Sequence, residues 1–300
     1  MSLPSTPFAL FAAPHTPMRE NGDINLAAIP EQAALLRQEG VRGAFICGTT
    51  GEGPSLSAGE RTAIAIAWRL ALGDDQTLIV NVGHNSLAEA SALATHAAEI
   101  GADAIALHPP SYFKPTRVED LIDCCARVAH VVPALPVYYY HIPALTGVRL
   151  PMNRFLQQGQ NYIPNLRGIK FSDANLAEYR ACLTLSDGAF DILFGVDEML
   201  LGALAMGGAG AVGSTYNYAA PLYHDMIAAF RRGDMAQART QAARAIGLSQ
   251  AILAADVVAS GKACMALRGI HCGPVRPPLR NLTREDQAAL ERRLRALSII

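Results

Sequence analysis

Three hundred residues, 51% of them apolar and with a formal net charge of −1, suffice for one large core or two modest ones. With no basic block, the chain gives no footing to nucleic acid or an anionic membrane surface as partners, and no apolar run approaches the ~20 residues that span a bilayer. The stretch 1–13 is short on positive charge and contains prolines, unlike a secretory signal, so a soluble, cytoplasmic protein is expected.

In chain order, short apolar runs alternate with helical patterns, the signature of repeated strand–helix units and a parallel sheet. Residues 8–13 read as the first strand and 24–39 as a helix ended by Gly40. The second strand, 43–47, is followed after a loop by a helix opening on the capping box Ser57-x-x-Glu60. Strand 77–82 leads to a helix that opens on Ser86-x-x-Glu89 and closes at Gly101. The fourth strand is 104–108, and Thr116-x-x-Glu119 is expected to cap a helix reaching about Val131. Strand 137–141 precedes a short helix after Pro151, and 168–171 is the sixth strand. Residues 190–194 form the seventh, with a helix from near Asp197 to Met206. Last come strand 209–213 and a helix over 221–231.

Eight strands with helices between them in about 230 residues predict a (β/α)8 TIM barrel, typically about 250 residues long. The barrel is assigned to residues 1–232. Residues 233–300 read as Ala-rich helical segments broken by Gly261, Gly273 and the turn region 274–278, a C-terminal helical extension packed on the barrel or on another subunit. The cysteines, Cys47, Cys124, Cys125, Cys182, Cys264 and Cys272, form no C-x-x-C pair and read as reduced core thiols. The histidines are scattered, with no H-x-x-x-H spacing, so no metal site is expected and a metal-dependent aldolase or hydrolase is disfavoured.

Chemistry is expected where strands end, because active sites of such barrels lie at the C-terminal face. The chain has three lysines, Lys114, Lys170 and Lys262, and Lys170 sits inside the apolar run 166–173. An ammonium in low dielectric tends to lose its proton, leaving an amine able to form a Schiff base. The alternative is a lysine that snorkels to solvent or pairs with Asp173. After the second strand, the turn 48–53 offers Thr49, Thr50 and free backbone N–H groups, a concavity suited to a carboxylate; a plain strand–helix turn is the other reading.

In the run 137–143, alternation puts Tyr138 and Tyr140 on one face, so Tyr140 can point into the mouth beside Lys170 and shuttle a proton. Tyr139 and Tyr138 read as aromatic packing between barrel and helices, and His141, on the face opposite Tyr140, as a structural histidine rather than a catalyst. Asp197 and Glu198 sit at a helix start, where acids favour the dipole, but also where acceptors could bind sugar hydroxyls. In 207–215 no lysine or arginine is near, which favours close backbone packing over phosphate binding, with the Ser214 hydroxyl reaching substrate.

On the segments 48–52, 140–147, 168–173, 193–198 and 210–218, the chain resembles the pyruvate-dependent class I aldolases of the dihydrodipicolinate synthase/N-acetylneuraminate lyase family. The turn 140–147 is similar to the sialic acid lyases of that family, especially those of animal type; dihydrodipicolinate synthases usually carry an arginine where this chain has Leu145. The resemblance implies that Lys170 forms the imine, that Thr49 and Thr50 hold the substrate carboxylate, and that Tyr140 is the general acid/base, with Lys170, Tyr140 and Thr50 the catalytic set. It further implies that Ser172, Gly195, Asp197, Glu198 and Ser214 bind sugar hydroxyls, that sialic acid and pyruvate are the small-molecule partners, that no cofactor is needed, and that the assembly is a homotetramer. In some relatives a neighbouring subunit supplies an aromatic in the region 111–113. Alternatives are a pyruvate aldolase for another 2-oxo sugar acid or aldehyde, a dihydrodipicolinate synthase-like activity, and a non-catalytic sugar-acid binding protein.

Overall fold

A computed structural model describes residues 8–299, so what was expected of residues 1–7 and of Ile300 lies outside the described residues. Eight parallel strands close a barrel in sequential order: β1 (Ala9–Ala12), β2 (Gly43–Ile46), β3 (Thr77–Asn81), β4 (Ala104–Leu107), β5 (Val137–His141), β6 (Leu166–Phe171), β7 (Asp191–Phe194) and β8 (Gly210–Gly213). β8 pairs with β1 to complete the ring. The strands read as unbroken apolar runs because both faces are covered. One face fills the interior, with Phe11, Phe45, Ile79, Tyr138, Tyr140, Leu193 and Val212 in one cluster. The other face, with Ile46, Tyr139, Ile169 and Phe171, packs under the helices in a second, larger cluster.

The surrounding helices are α1 (Ile29–Gln38), α2 (Ala58–Ala71), α3 (Leu87–Glu99), α4 (Val118–Ala129), α5 (Pro143–Thr146), α6 (Met152–Gly159), α7 (Leu176–Thr184), α8 (Leu200–Ala205) and α9 (Ala220–Arg231). α1 is shorter than expected: a 3-10 turn, Leu26–Ala28, precedes it, and Pro30, which has no N–H to donate, sits in its first turn. The box at α2 forms in full, Ser57 and Glu60 each accepting the other's backbone N–H. At α3 Ser86 accepts from Glu89, but its own N–H goes to His84 Nδ1.

The box expected at Thr116 does not form. α4 starts from Arg117 without a side-chain cap, and Glu119 turns outward to Arg117 and Arg154, whose charges outcompete a neutral N–H. Two helices went unread in the sequence. α5 is a single turn between Pro143 and the left-handed Gly147, too short for a periodic signal, and α7 is capped by Asn175, which accepts from Glu178. Likewise, the helix expected from Asp197 begins as a 3-10 turn, Asp197–Met199, before α8.

The extension comprises α10 (Met235–Leu253), α11 (Val257–Leu267) and α12 (Arg284–Ala296). Its Leu248, Ile252, Met265, Leu290 and Leu294 join the apolar cluster that the barrel shares with its helices. Gly261 does not break a helix as expected. It lies inside α11, where a Cβ would stand 2.3 Å from the His15 ring, so glycine serves close approach to β1's loop. The break falls instead at 254–256, where Asp256 accepts from the N–H groups of Val258 and Ala259. Among the described residues no single helix is long and apolar enough to cross a membrane.

Candidate active site

β5 and β6 run in a register that pairs Tyr140 with Lys170, and partners in a parallel ladder point to the same face. Both side chains therefore enter the barrel mouth. Lys170 is 4% exposed, its Nζ 3.9 Å from the centre of the Phe45 ring and 4.1 Å from that of Tyr140. It neither snorkels nor pairs with Asp173, which faces Arg149 at 3.8 Å. Burial drives the amine from its ordinary 10.5 down to about 7, with the charge of Asp197 partly holding it up. Near neutrality a large share of Lys170 is thus free base. Tyr139 and His141 point the other way, into the aromatic shell with Phe155 and Phe171. His141 is held neutral by burial, down to about 4.

The turn after β2 brings Thr49 and Thr50 to the same mouth. Thr49 Oγ1 and the Tyr140 hydroxyl lie 3.2 Å apart, while the Thr50 hydroxyl is left to the cavity without a partner among the described residues. The turn is built on backbone that side chains disfavour, with Cys47 and Glu52 both at positive φ (55° and 54°). It is fastened by the N–H of Glu52 to Thr49 O, the N–H of Gly53 to Gly48 O, and the Thr16 hydroxyl to Gly51 O at 2.6 Å. Gly48 lets the turn sit against the Phe45 ring, which a Cβ would meet at 3.0 Å.

Opposite, β7 and β8 deliver the remaining candidates. Asp197 is buried, and its Oδ2 accepts from both the N–H (2.9 Å) and the hydroxyl (2.6 Å) of Thr215. Burial raises its carboxyl above the usual range, while the Thr215 hydrogen bonds oppose this. Sequence reading placed Asp197 at a helix start; the structure adds that one of its oxygens is already committed, leaving Oδ1 for another partner. Glu198 receives a long hydrogen bond from Ser249, at 3.4 Å. Gly195 leaves room for Ser172, whose hydroxyl would lie 2.1 Å from a Cβ there. Ser172, Gly195, Asp197, Glu198 and Ser214 share one cavity of about 260 Å³ with Thr49, Thr50, Tyr140 and Lys170. All the site residues expected from sequence are therefore brought together.

The cavity also holds residues that sequence reading missed. Ser249, Ile252 and Leu253 at the end of α10 and Val257 at the start of α11 form one wall. Asp256 as a helix cap signals the break between those helices, but no local pattern says that the break lies over the barrel mouth. Tyr140 itself is pushed up to about 12, by burial first, against the hydrogen bonds of Thr49 and Ser172. An amine that titrates near neutrality, a protonated phenol and a hydroxyl-lined turn around one cavity make an arrangement suited to imine chemistry on a small 2-oxo acid.

Comparison with known proteins agrees with this geometry. The family model described as "Dihydrodipicolinate synthetase family" matches residues 7–297. The N-acetylneuraminate lyase of Rattus norvegicus is 42% identical over 296 residues, covering 97% of this chain and 92% of that protein. The solved structure of N-acetylneuraminate lyase from Proteus mirabilis superposes with a TM-score of 0.95 at 39% identity, over 98% of this chain and 99% of that one. That of the sialic acid aldolase from Aliivibrio salmonicida gives a TM-score of 0.95 at 41% identity, covering 98% and 97%.

Proposed function

Because the chain belongs to the dihydrodipicolinate synthetase family, we propose that it is a Schiff-base aldolase that reversibly cleaves N-acetylneuraminate to pyruvate and N-acetylmannosamine. The observation that carries the reading is Lys170: a buried amine brought to about 7, beside the ring of Tyr140, in a chain 42% identical to an N-acetylneuraminate lyase.

Lys170 attacks the C2 ketone of the open-chain sugar acid and water leaves, giving a protonated imine. As the C3–C4 bond breaks, its electron pair flows into that imine, which spares the reaction a free carbanion. The C4 hydroxyl loses its proton to Tyr140, directly or through the substrate carboxylate, and becomes the aldehyde of N-acetylmannosamine. The enamine left on Lys170 is protonated at C3 and hydrolysed to pyruvate. Thr49 and Thr50 hold the carboxylate and so fix the reacting atoms relative to the amine. Lys170 supplies the electron sink itself, so this chemistry calls for no cofactor. Leu145, where dihydrodipicolinate synthases usually carry an arginine, disfavours that activity.

The test is intact mass and peptide mapping after borohydride reduction in the presence of N-acetylneuraminate. A pyruvate-sized adduct on Lys170 is expected. No adduct with either N-acetylneuraminate or pyruvate would refute the imine, and an adduct with pyruvate alone would point to a different sugar acid.

Asp197, Glu198, Ser172, Gly195 and Ser214 take the polyol tail in this reading. Asp197→Asn is expected to reduce kcat/KM on N-acetylneuraminate by about 10- to 100-fold, the usual worth of a charged hydrogen bond of about 1.5–3 kcal/mol. Trapping of pyruvate, which has no tail, should persist. Equal loss on both would remove Asp197 from the tail-binding set. Removing its charge should also lower the pH at which Lys170 titrates, since Asp197 holds that value up.

The same proposal includes a cytoplasmic homotetramer. Tyr112 and Phe113 support a contact with another copy, for both rings stand free of their own barrel, 80% and 84% exposed and edge to face at 5.0 Å. Sedimentation of the purified chain decides the assembly.

A further inference from the structure

Two of the three lysines are buried, and only one faces the cavity. Lys262, on α11, sits with its Nζ 2.7 Å from Glu52 Oε1, and the two side chains are 3% and 0% exposed. The same Nζ donates to the Pro274 carbonyl at 2.6 Å, and Glu52 Oε2 accepts the Arg276 N–H at 2.8 Å. Arg276 in turn bonds to Gly22 O, Ser55 O and the Glu60 carboxylate. Glu52 closes the Thr49–Thr50 turn from a left-handed conformation, at φ 54° and ψ 27°. A buried ion pair adds little stability over an apolar pair of the same shape, so stability alone does not account for one here. Strained backbone, by contrast, persists only where its surroundings over-determine it.

From this geometry we infer that Lys262 is a positioning residue, holding the Thr49–Thr50 turn through Glu52 in the conformation that receives the substrate carboxylate. The inference rests on the reading of that turn given above. Its charge has a second effect. Glu52 lies two residues from Thr50, and without Lys262 it would be a buried anion without its cation beside an incoming carboxylate. The extension is thereby part of the site's machinery: a contact 210 residues away in sequence sets a turn on β2.

The test compares Lys262→Met with the double variant Lys262→Met/Glu52→Gln, which removes the lone buried anion and so guards against a single variant that fails to fold. In both, KM for pyruvate in the synthesis direction is expected to rise by about tenfold or more, from a turn that no longer holds its geometry. Turnover at saturating pyruvate should fall by less than KM rises, since Thr49 and Thr50 also fix the reacting atoms, and the Lys170 adduct should still form in full. Hydrogen exchange of peptides spanning 48–55 should accelerate while 87–99 is unchanged. Unaltered exchange of the turn, or an unaltered KM for pyruvate in a folded variant, overturns the inference, as does a fall in turnover alone. If the wild-type protein forms no pyruvate adduct, the proposed reaction fails instead, and exchange of the turn still reports whether Lys262 holds it.

Discussion

Lys170→Met is expected to abolish the borohydride-trapped adduct and to lower turnover by at least about 10⁴-fold, equivalent to about 5.4 kcal/mol of barrier. The same change should stabilise the fold near neutral pH. Methionine matches the length of the lysine stem and can lie between the Phe45 and Tyr140 rings without bringing a charge there. The wild-type amine titrates at about 7 when folded and at its ordinary 10.5 when unfolded. Between those pH values the unfolded chain holds a proton that the folded chain lacks, so wild-type stability rises with pH across that window. At pH 7 and below, the penalty is at its largest, of the order of 3–5 kcal/mol from the conversion of about 1.4 kcal/mol per pH unit. By pH 10.5 it has vanished, and the variant's advantage should shrink to the packing difference. Thermal melts across this range check it. The rate of adduct formation in the wild type should follow the same group, rising about tenfold per pH unit below about 7 and levelling above. A Lys170→Met protein that is less stable at every pH, or that still traps substrate, would sink the picture of a buried neutral nucleophile.

That lysine was legible in the sequence because it breaks a local rule. A charge inside an apolar strand, in a chain with only two other lysines, is a conflict between propensity and placement of the kind that functional sites retain. Tyr140 was legible for a simpler reason, since strict alternation along β5 decides which face each tyrosine takes. Local caps were less dependable. The same three-residue spacing is met in full at Ser57, in half at Ser86 and not at all at Thr116, because competing charges and a nearby histidine are invisible to the spacing. What escaped altogether is tertiary. Gly261 reads as a helix breaker until His15 is seen against it, and Glu52 reads as one acid in a glycine-rich turn until Lys262 arrives from the far end of the chain. The wall of Ser249, Leu253 and Val257 belongs to the same class, for nothing in α10 says which end of the barrel it covers.

Tyr140→Phe should separate the two halves of the reaction. The phenol is raised to about 12, so in the resting protein it is protonated and a poor base by itself. The reaction changes that environment. A protonated imine on Lys170 puts a fixed positive charge about 4 Å from the Tyr140 ring, and an opposite charge at ~4–6 Å typically lowers an acid by about 1–3 units. That shift still leaves the phenol protonated near neutral pH, so it takes the C4 proton as a relay, passing its own proton to the substrate carboxylate as it accepts, and the imine's charge eases this transfer only once the electron sink is present. Phenylalanine preserves the ring that packs on Phe45 while removing the proton carrier. We expect kcat to fall by about 10²–10⁴-fold, the usual contribution of a positioned acid/base, with imine formation retained. The trapped species should then change identity: the wild-type adduct from N-acetylneuraminate carries the mass of pyruvate, whereas the Tyr140→Phe adduct should carry that of the whole sugar acid. A variant that traps only pyruvate-sized adduct and turns over within about tenfold of wild type would mean that the C4 proton leaves by another route, and the substrate carboxylate held by Thr49 and Thr50 would then be the remaining acceptor in reach.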